Sequence, residues 1–207
     1  MKMSTRLLTS LCGFALAAVS AQAQFYKLHN ADIGGGAIGQ FTESLPAQNS
    51  SSIEDTTHNS FGGEFSLRDY PVAWAGLEFN YAYTEYGRNI INESAVGGYN
   101  QYVHTDQHEA TAAYLFHPHL HYRSVKPFVA VGGGYMDFVP SYLGSNQWRG
   151  TGLVEVGLEI PTSNPHFGFR LQGRELIYRQ PDFNQSDLAS RTWTATSEPE
   201  FGVWYRF

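Results

Sequence analysis

The sequence is poor in cysteine, in lysine and in long apolar runs. The only cysteine is Cys12, near the amino terminus. No disulfide can form within the chain, so packing alone must hold its fold. Charged residues make up only 15%, below the roughly 25% of ordinary soluble domains, while disorder calls for many charges and few aromatics. Acidic residues outnumber basic ones, 19 to 13, which disfavours a nucleic-acid partner. Beyond the first twenty or so residues no window of 18 apolar residues exists, which excludes a helical membrane bundle. Long i, i+3, i+4, i+7 periodicity is also missing, so helices should be few. No repeat of 20–50 residues supports a solenoid or propeller.

What is present begins with an export signal at residues 1–23. Lys2 and Arg6 give a positive start, Leu7 to Val19 a short apolar core, and Ala21-Gln22-Ala23 a small-x-small cleavage site. Cleavage removes Cys12 and leaves Lys27 and Lys126 as the only lysines. Residues 24–207 then form one domain.

That domain is rich in aromatics, at 15%, and contains most of the 21 glycines. Period-two alternation recurs in eight runs: Asp32–Phe41, Ser60–Arg68, Val72–Tyr86, His104–Phe116, Pro127–Phe138, Trp148–Ile160, His166–Tyr178 and Trp193–Phe207. The connections alternate between long and short. Thr42–Asn59, Gly87–Val103, Val139–Gln147 and Arg179–Thr192 are the long loops. Asp69-Tyr70-Pro71, His117–Val125 and Pro161–Pro165 are the short turns. One rim therefore meets the outside and the other a confined space.

Along most runs one face is apolar. Phe167, Phe169 and Leu171 oppose Arg170, Gln172 and Arg174; Val154, Val156, Leu158 and Ile160 oppose Glu155 and Glu159. A soluble lipocalin-type barrel turns such a face inward and a membrane barrel turns it outward. Aromatic apolar faces, Glu opposite Arg on the other faces, and the scarcity of lysine favour the membrane form. Hydrocarbon solvates no amide, so the sheet must close, last strand on first. Run Pro127–Phe138 leaves the choice of face open, because Val129, Val131 and Tyr135 compete with Phe128, Ala130 and Met136.

The chain ends with Phe201, Val203, Tyr205 and Phe207 at alternate positions. A terminal aromatic on such a strand resembles the insertion signal of bacterial outer-membrane barrels. With the export signal and eight alternating runs, the chain resembles the small OmpA/OmpX/Opa-like outer-membrane β-barrel family over its whole mature length. The resemblance implies an all-β fold, a closed eight-stranded antiparallel up-and-down transmembrane barrel in the bacterial outer membrane. It also implies contact with outer-membrane lipid and lipopolysaccharide, and with the barrel-assembly machinery during insertion.

At eight strands the bore is filled by side chains. The expected interior is a salt-bridged plug of Glu64, Glu78, Glu109, Glu155, Glu159 and Glu200 with Arg68, Arg170, Arg174 and Arg206. Pro199, unable to donate a ladder bond, is expected at the start of the embedded part of the last strand, at the outer rim, and Glu175 near the outer interface. Gly34-Gly35-Gly36 and Gly132-Gly133-Gly134 mark curvature or bulky neighbours. His58-Asn59-Ser60 is a candidate nucleophile pair for a lipid A-modifying enzyme, but its strand face continues through Glu64 to the interior. His117, His119 and His121 share one side of an extended chain, as a Zn or Cu site requires; Pro118 places them in an exposed turn. No cofactor and no enzymatic activity are expected. The expected role is structural or surface interaction, with any external ligand at loops 42–59, 87–103 or 179–192. A narrow ion or small-solute channel is the alternative and a lipid A-modifying enzyme the next.

Overall fold

A computed structural model describes residues 30–43, 53–57, 59–92, 99–118, 125–141, 145–183 and 193–207. The export signal, His58, His119, His121 and the tips of the long loops lie outside the described residues. The strands are β1 (Ala31–Thr42), β2 (Ile53–Thr57), β3 (Ser60–Val72), β4 (Ala75–Asn92), β5 (Tyr99–Phe116), β6 (Lys126–Pro140), β7 (Gln147–Pro161), β8 (Phe167–Arg179) and β9 (Trp193–Arg206).

From β3 to β9 neighbours in the chain pair antiparallel, β1 pairs with β3, and β9 returns to β1 through Ile33↔Tyr205 and Ala37↔Phe201. The sheet is thereby closed into eight staves. The short β2 continues the line of β3 along the outer part of β4, with Thr57 opposite Arg88. The main-chain amide of Phe207 donates to Ala31 O at 3.1 Å, tying the terminus into the closing seam.

Strict alternation decides which way each side chain looks. In β8 Arg170, Gln172, Arg174, Leu176 and Tyr178 are buried, while Leu171 and Ile177 face out. Tyr114 is 73% exposed and Val131 and Val156 are each 61% exposed. Phe65, Phe79, Leu171 and Phe201 extend the same apolar belt around the other strands. So large an apolar exterior around so polar an interior inverts the arrangement of a water-soluble barrel. Apart from the short β2, strands of 12–18 residues exceed the about 9–11 that a tilted crossing needs.

In β6 the open choice of face is settled. Phe128, Ala130, Met136 and Phe138 point inward; Val129, Val131 and Tyr135 point outward. Both faces are apolar because the interior is itself apolar along this wall. Phe138, Leu153, Leu176, Tyr178 and Phe183 pack at its outer end, and Tyr70, Leu115 and Phe128 at its inner end.

The glycine runs make room. A Cβ on Gly36 would strike the Glu200 carboxylate, and one on Gly34 the Arg68 guanidinium. At Gly132 and Gly134 it would lie 2.1 and 2.0 Å from the carbonyls of Ala112 and Ala110, so β5 approaches β6 too closely for any other residue.

Four expectations are corrected. The first short turn is Ala73-Trp74, not Asp69-Tyr70-Pro71. Pro71 interrupts the register between Asp69 and Val72 without reversing the chain, and Tyr70 keeps the inward parity of Glu64 and Arg68. Gly87–Val103 is not a long loop: β4 and β5 stay paired out to Asn92↔Tyr99. Beyond the lipid no alternation is required, so the ladder continues where the hydrophobic pattern has stopped. Thr42–Asn59, read as a loop, contains β2. Finally, Pro199 sits inside β9 opposite Gly173, not at the outer rim. The β1–β9 pairing lapses there, between Ile38↔Glu200 and Phe41↔Ser197, as a residue without an N–H requires.

Candidate functional site: the polar interior and the outer rim

Inward parity brings the acids and guanidiniums of seven strands into one column. At the inner end Asp32 of β1 takes two cations, Arg68 Nε at 2.6 Å and Arg206 Nη2 at 2.8 Å. Close by, the Tyr70 hydroxyl donates to Glu159 Oε1 at 2.8 Å. Glu159 also lies 3.6 Å from Arg170 Nη1 and 3.6 Å from His117 Nε2. His117, expected in an exposed turn, instead packs half-buried against Tyr70 and Phe128.

The middle of the column is more crowded. Arg170 Nη2 donates to Glu78 Oε2 at 2.8 Å and lies 3.7 Å from Glu155 Oε2. Its guanidinium also stacks 3.9 Å from the Phe128 ring centroid. Arg174 meets four carboxylates: Glu64 at 2.5 Å, Glu198 at 3.0 Å, Glu155 at 3.3 Å, and Glu109. Those acids come from β3, β9, β7 and β5. Gln172 joins Arg170 to Glu200 by two further hydrogen bonds. Toward the outer end Gln40 donates to Glu198 at 3.3 Å, and the Tyr178 and Thr196 hydroxyls bond at 2.9 Å.

Thus Glu64, Arg68, Glu78, Glu109, Glu155, Arg170 and Arg174 are all buried together, and Arg206 closes the inner end with its side chain 24% exposed. Phe201, Val203, Tyr205 and Phe207 lie on the outer surface of the closing strand and its end. Sequence reasoning missed Asp32, Glu198, Tyr70 and the lumen-facing role of His117. Glu198 was legible, since it lies two residues before Glu200 on the same face. Asp32 needed the closing register, which sets it opposite Arg206.

Elsewhere the residues singled out fare differently. Ser60 Oγ donates to Gln40 Oε1 at 2.9 Å, which engages it with the interior. Glu175 faces outward, half-buried, and accepts from Ser197 Oγ at 2.7 Å, which lessens its cost in the belt. An unanticipated polar cluster faces outward at the outer rim: His104 Nε2 lies 3.5 Å from Glu85 and 3.6 Å from Asp106, and the Tyr83 hydroxyl donates to both carboxylates.

A closed antiparallel barrel of eight staves, apolar outside and ion-paired inside, is the fold of the small outer-membrane β-barrels. Comparison with solved structures supports this. OprG from Pseudomonas aeruginosa superposes with a TM-score of 0.55 at 15% identity, over 87% of this chain and 97% of that one. Ail of Yersinia pestis, solved with the heparin analogue sucrose octasulfate, gives 0.52 at 15% identity, over 86% and 98%. AlkL in DMPC bilayers gives 0.59 at 15% identity, over 86% and 90%. At such identity the likeness is one of fold. No protein-family model and no curated protein matches the sequence.

Proposed function

We propose that this chain is inserted in the bacterial outer membrane, delivered there by barrel-assembly machinery, and serves as a non-enzymatic surface-interaction protein on a rigid barrel base. The observation that carries the reading is the length of β4 and β5, 18 residues each. The wall of β3 ends at Phe61↔Glu85. Beyond it β2, β4 and β5 stay paired to Asn92↔Tyr99, a projection of roughly 20 Å at about 3.3 Å per residue. A paired arm keeps its shape above the lipid, as a binding surface needs and a simple connection does not. Segment 42–59 adds Glu43, Glu54 and Asp55 with no Lys or Arg, so the partner is neutral or cationic rather than a polyanion. Conduction gains no support, because each lumen guanidinium is held by carboxylates. Catalysis gains none either, since Ser60 is engaged with Gln40.

The test is to replace Arg88–Val103 by an Asn-Gly turn, which suits a two-residue hairpin. The shortened chain should still need detergent and still migrate differently when unheated. Cells displaying it should lose the retention on immobilised protein and polysaccharide surfaces that cells displaying the full chain show. Equal retention of both, or no retention by either, contradicts the proposal.

A further inference from the structure

The outer rim carries a cluster that neither the polar column nor the projecting arm accounts for. Glu85 of β4 and Asp106 of β5 stand directly opposite each other across the ladder, on the outward face. Like charges so placed repel. Among the described residues no Lys or Arg lies within ion-pair distance of either carboxylate. The basic group they meet is the imidazole of His104, two residues before Asp106 on the same face of β5. Its Nε2 is 3.5 Å from Glu85 Oε2 and 3.6 Å from Asp106 Oδ1. The Tyr83 hydroxyl donates to Glu85 Oε1 at 2.6 Å and to Asp106 Oδ1 at 3.3 Å. It thus holds the far oxygen of Glu85 and leaves Oε2 beside the imidazole. Ser141 N and Oγ both donate to the main-chain oxygen of His104, which anchors β5 at this point. One ligand atom each from Glu85, His104 and Asp106 lies within 4.8 Å of the others. The three side chains are between 39% and 51% exposed, so an ion can reach them.

We propose that Glu85, His104 and Asp106 form a binding site for a divalent transition-metal ion of the Zn2+ class at the outer rim. An imidazole nitrogen beside two carboxylates suits Zn2+ and its first-row neighbours, whereas Ca2+ and Mg2+ take oxygen ligands. Tetrahedral Zn2+, with bonds of about 2.0–2.1 Å, sets its ligand atoms about 3.4 Å apart. The spans from His104 to both carboxylates are already close to that. Two carboxylates and a neutral imidazole neutralise a dication, which also removes the repulsion across the ladder. Three protein ligands leave a fourth position for water. The Tyr83 hydroxyl supplies the outer-shell hydrogen bond by which ligating carboxylates are oriented.

The test uses the untagged mature chain refolded in detergent from chelator-treated stock, with Zn2+ alone as the probe. Equilibrium dialysis should show saturable uptake of about one ion per barrel. In His104→Gln, and in Glu85→Gln/Asp106→Asn, affinity should fall by at least about tenfold, the loss that removal of even an outer-shell partner causes. Uptake should persist in His119→Asn/His121→Asn, which breaks the other histidine run. On the wild-type chain about a hundredfold excess of Ca2+ should leave the Zn2+ in place. Absence of saturable uptake overturns the proposal. So does uptake unchanged in the rim variants, uptake lost with His119 and His121, or displacement by Ca2+. The wild-type measurements decide even if a variant fails to fold.

Discussion

Replacing Arg174 with methionine is expected to prevent the chain from refolding into a heat-modifiable barrel in chelator-containing detergent. Four buried carboxylates, Glu64, Glu109, Glu155 and Glu198, converge on that one guanidinium. Breaking a buried ion pair by removing one partner costs about 3–5 kcal/mol, and here one change removes the shared partner of four acids. Folded domains are stable by only about 5–15 kcal/mol, so the loss is comparable with the whole. Replacing a complete ionic cluster by neutral groups of similar size is far gentler. Arg174→Met combined with Glu64→Gln, Glu109→Gln and Glu198→Gln should therefore refold. Urea titration followed by the gel shift of unheated samples reads both outcomes. If Arg174→Met alone stays within about 0.5 kcal/mol of wild type, the range of an ordinary surface change, the polar column does not hold the barrel together.

Val156→Arg carries the second large effect. Val156 sits in the middle of β7 and is 61% exposed. On a water-soluble protein such a substitution shifts stability by about 0.5 kcal/mol or less. On a lipid-facing strand near the bilayer midplane arginine costs about 2–4 kcal/mol. Directly across the ladder stand Val129 and Gly173, and the nearby outward carboxylate, Glu175, is already engaged by Ser197. The expected result is a loss of that size in urea titrations in phospholipid vesicles, with Trp148→Arg, at the outer end of the same strand, costing much less. Equal, negligible costs at both positions contradict a hydrocarbon environment for the belt.

How much of this was legible depends on what surrounds each face. β7, β8 and β9 alternate cleanly because lipid lies on one side and ion pairs on the other; Leu171 against Arg170 leaves no ambiguity. β6 was illegible because its inward wall is apolar too, so Phe128 and Val129 look alike in sequence. The arm was illegible for the opposite reason: above the lipid nothing demands alternation, yet the backbone still pairs. Tyr70 was hidden by Pro71, which signals a turn but here only disturbs the register. The composition of the polar column could be read from strand parity, as Glu64, Glu78 and Arg170 show. Its connectivity could not, since Asp32 binds Arg68 and Arg206 from residues 36 and 174 positions away. Nor does a list of acids and arginines reveal that four carboxylates gather on Arg174 while Asp32 takes two cations.

In β8 every second residue looks out of the barrel and every other one into its core. Residues 24–207 contain no cysteine, so in that segment single cysteines can be placed at each position from Phe167 to Arg179 and spin-labelled in vesicles. Labels at Phe167, Phe169, Leu171, Gly173 and Ile177 should be relaxed by oxygen dissolved in the bilayer, and labels at Arg170, Gln172, Arg174 and Leu176 should be shielded from it. A scan without this two-residue period, or one in which the arginine positions are the lipid-exposed set, would contradict it.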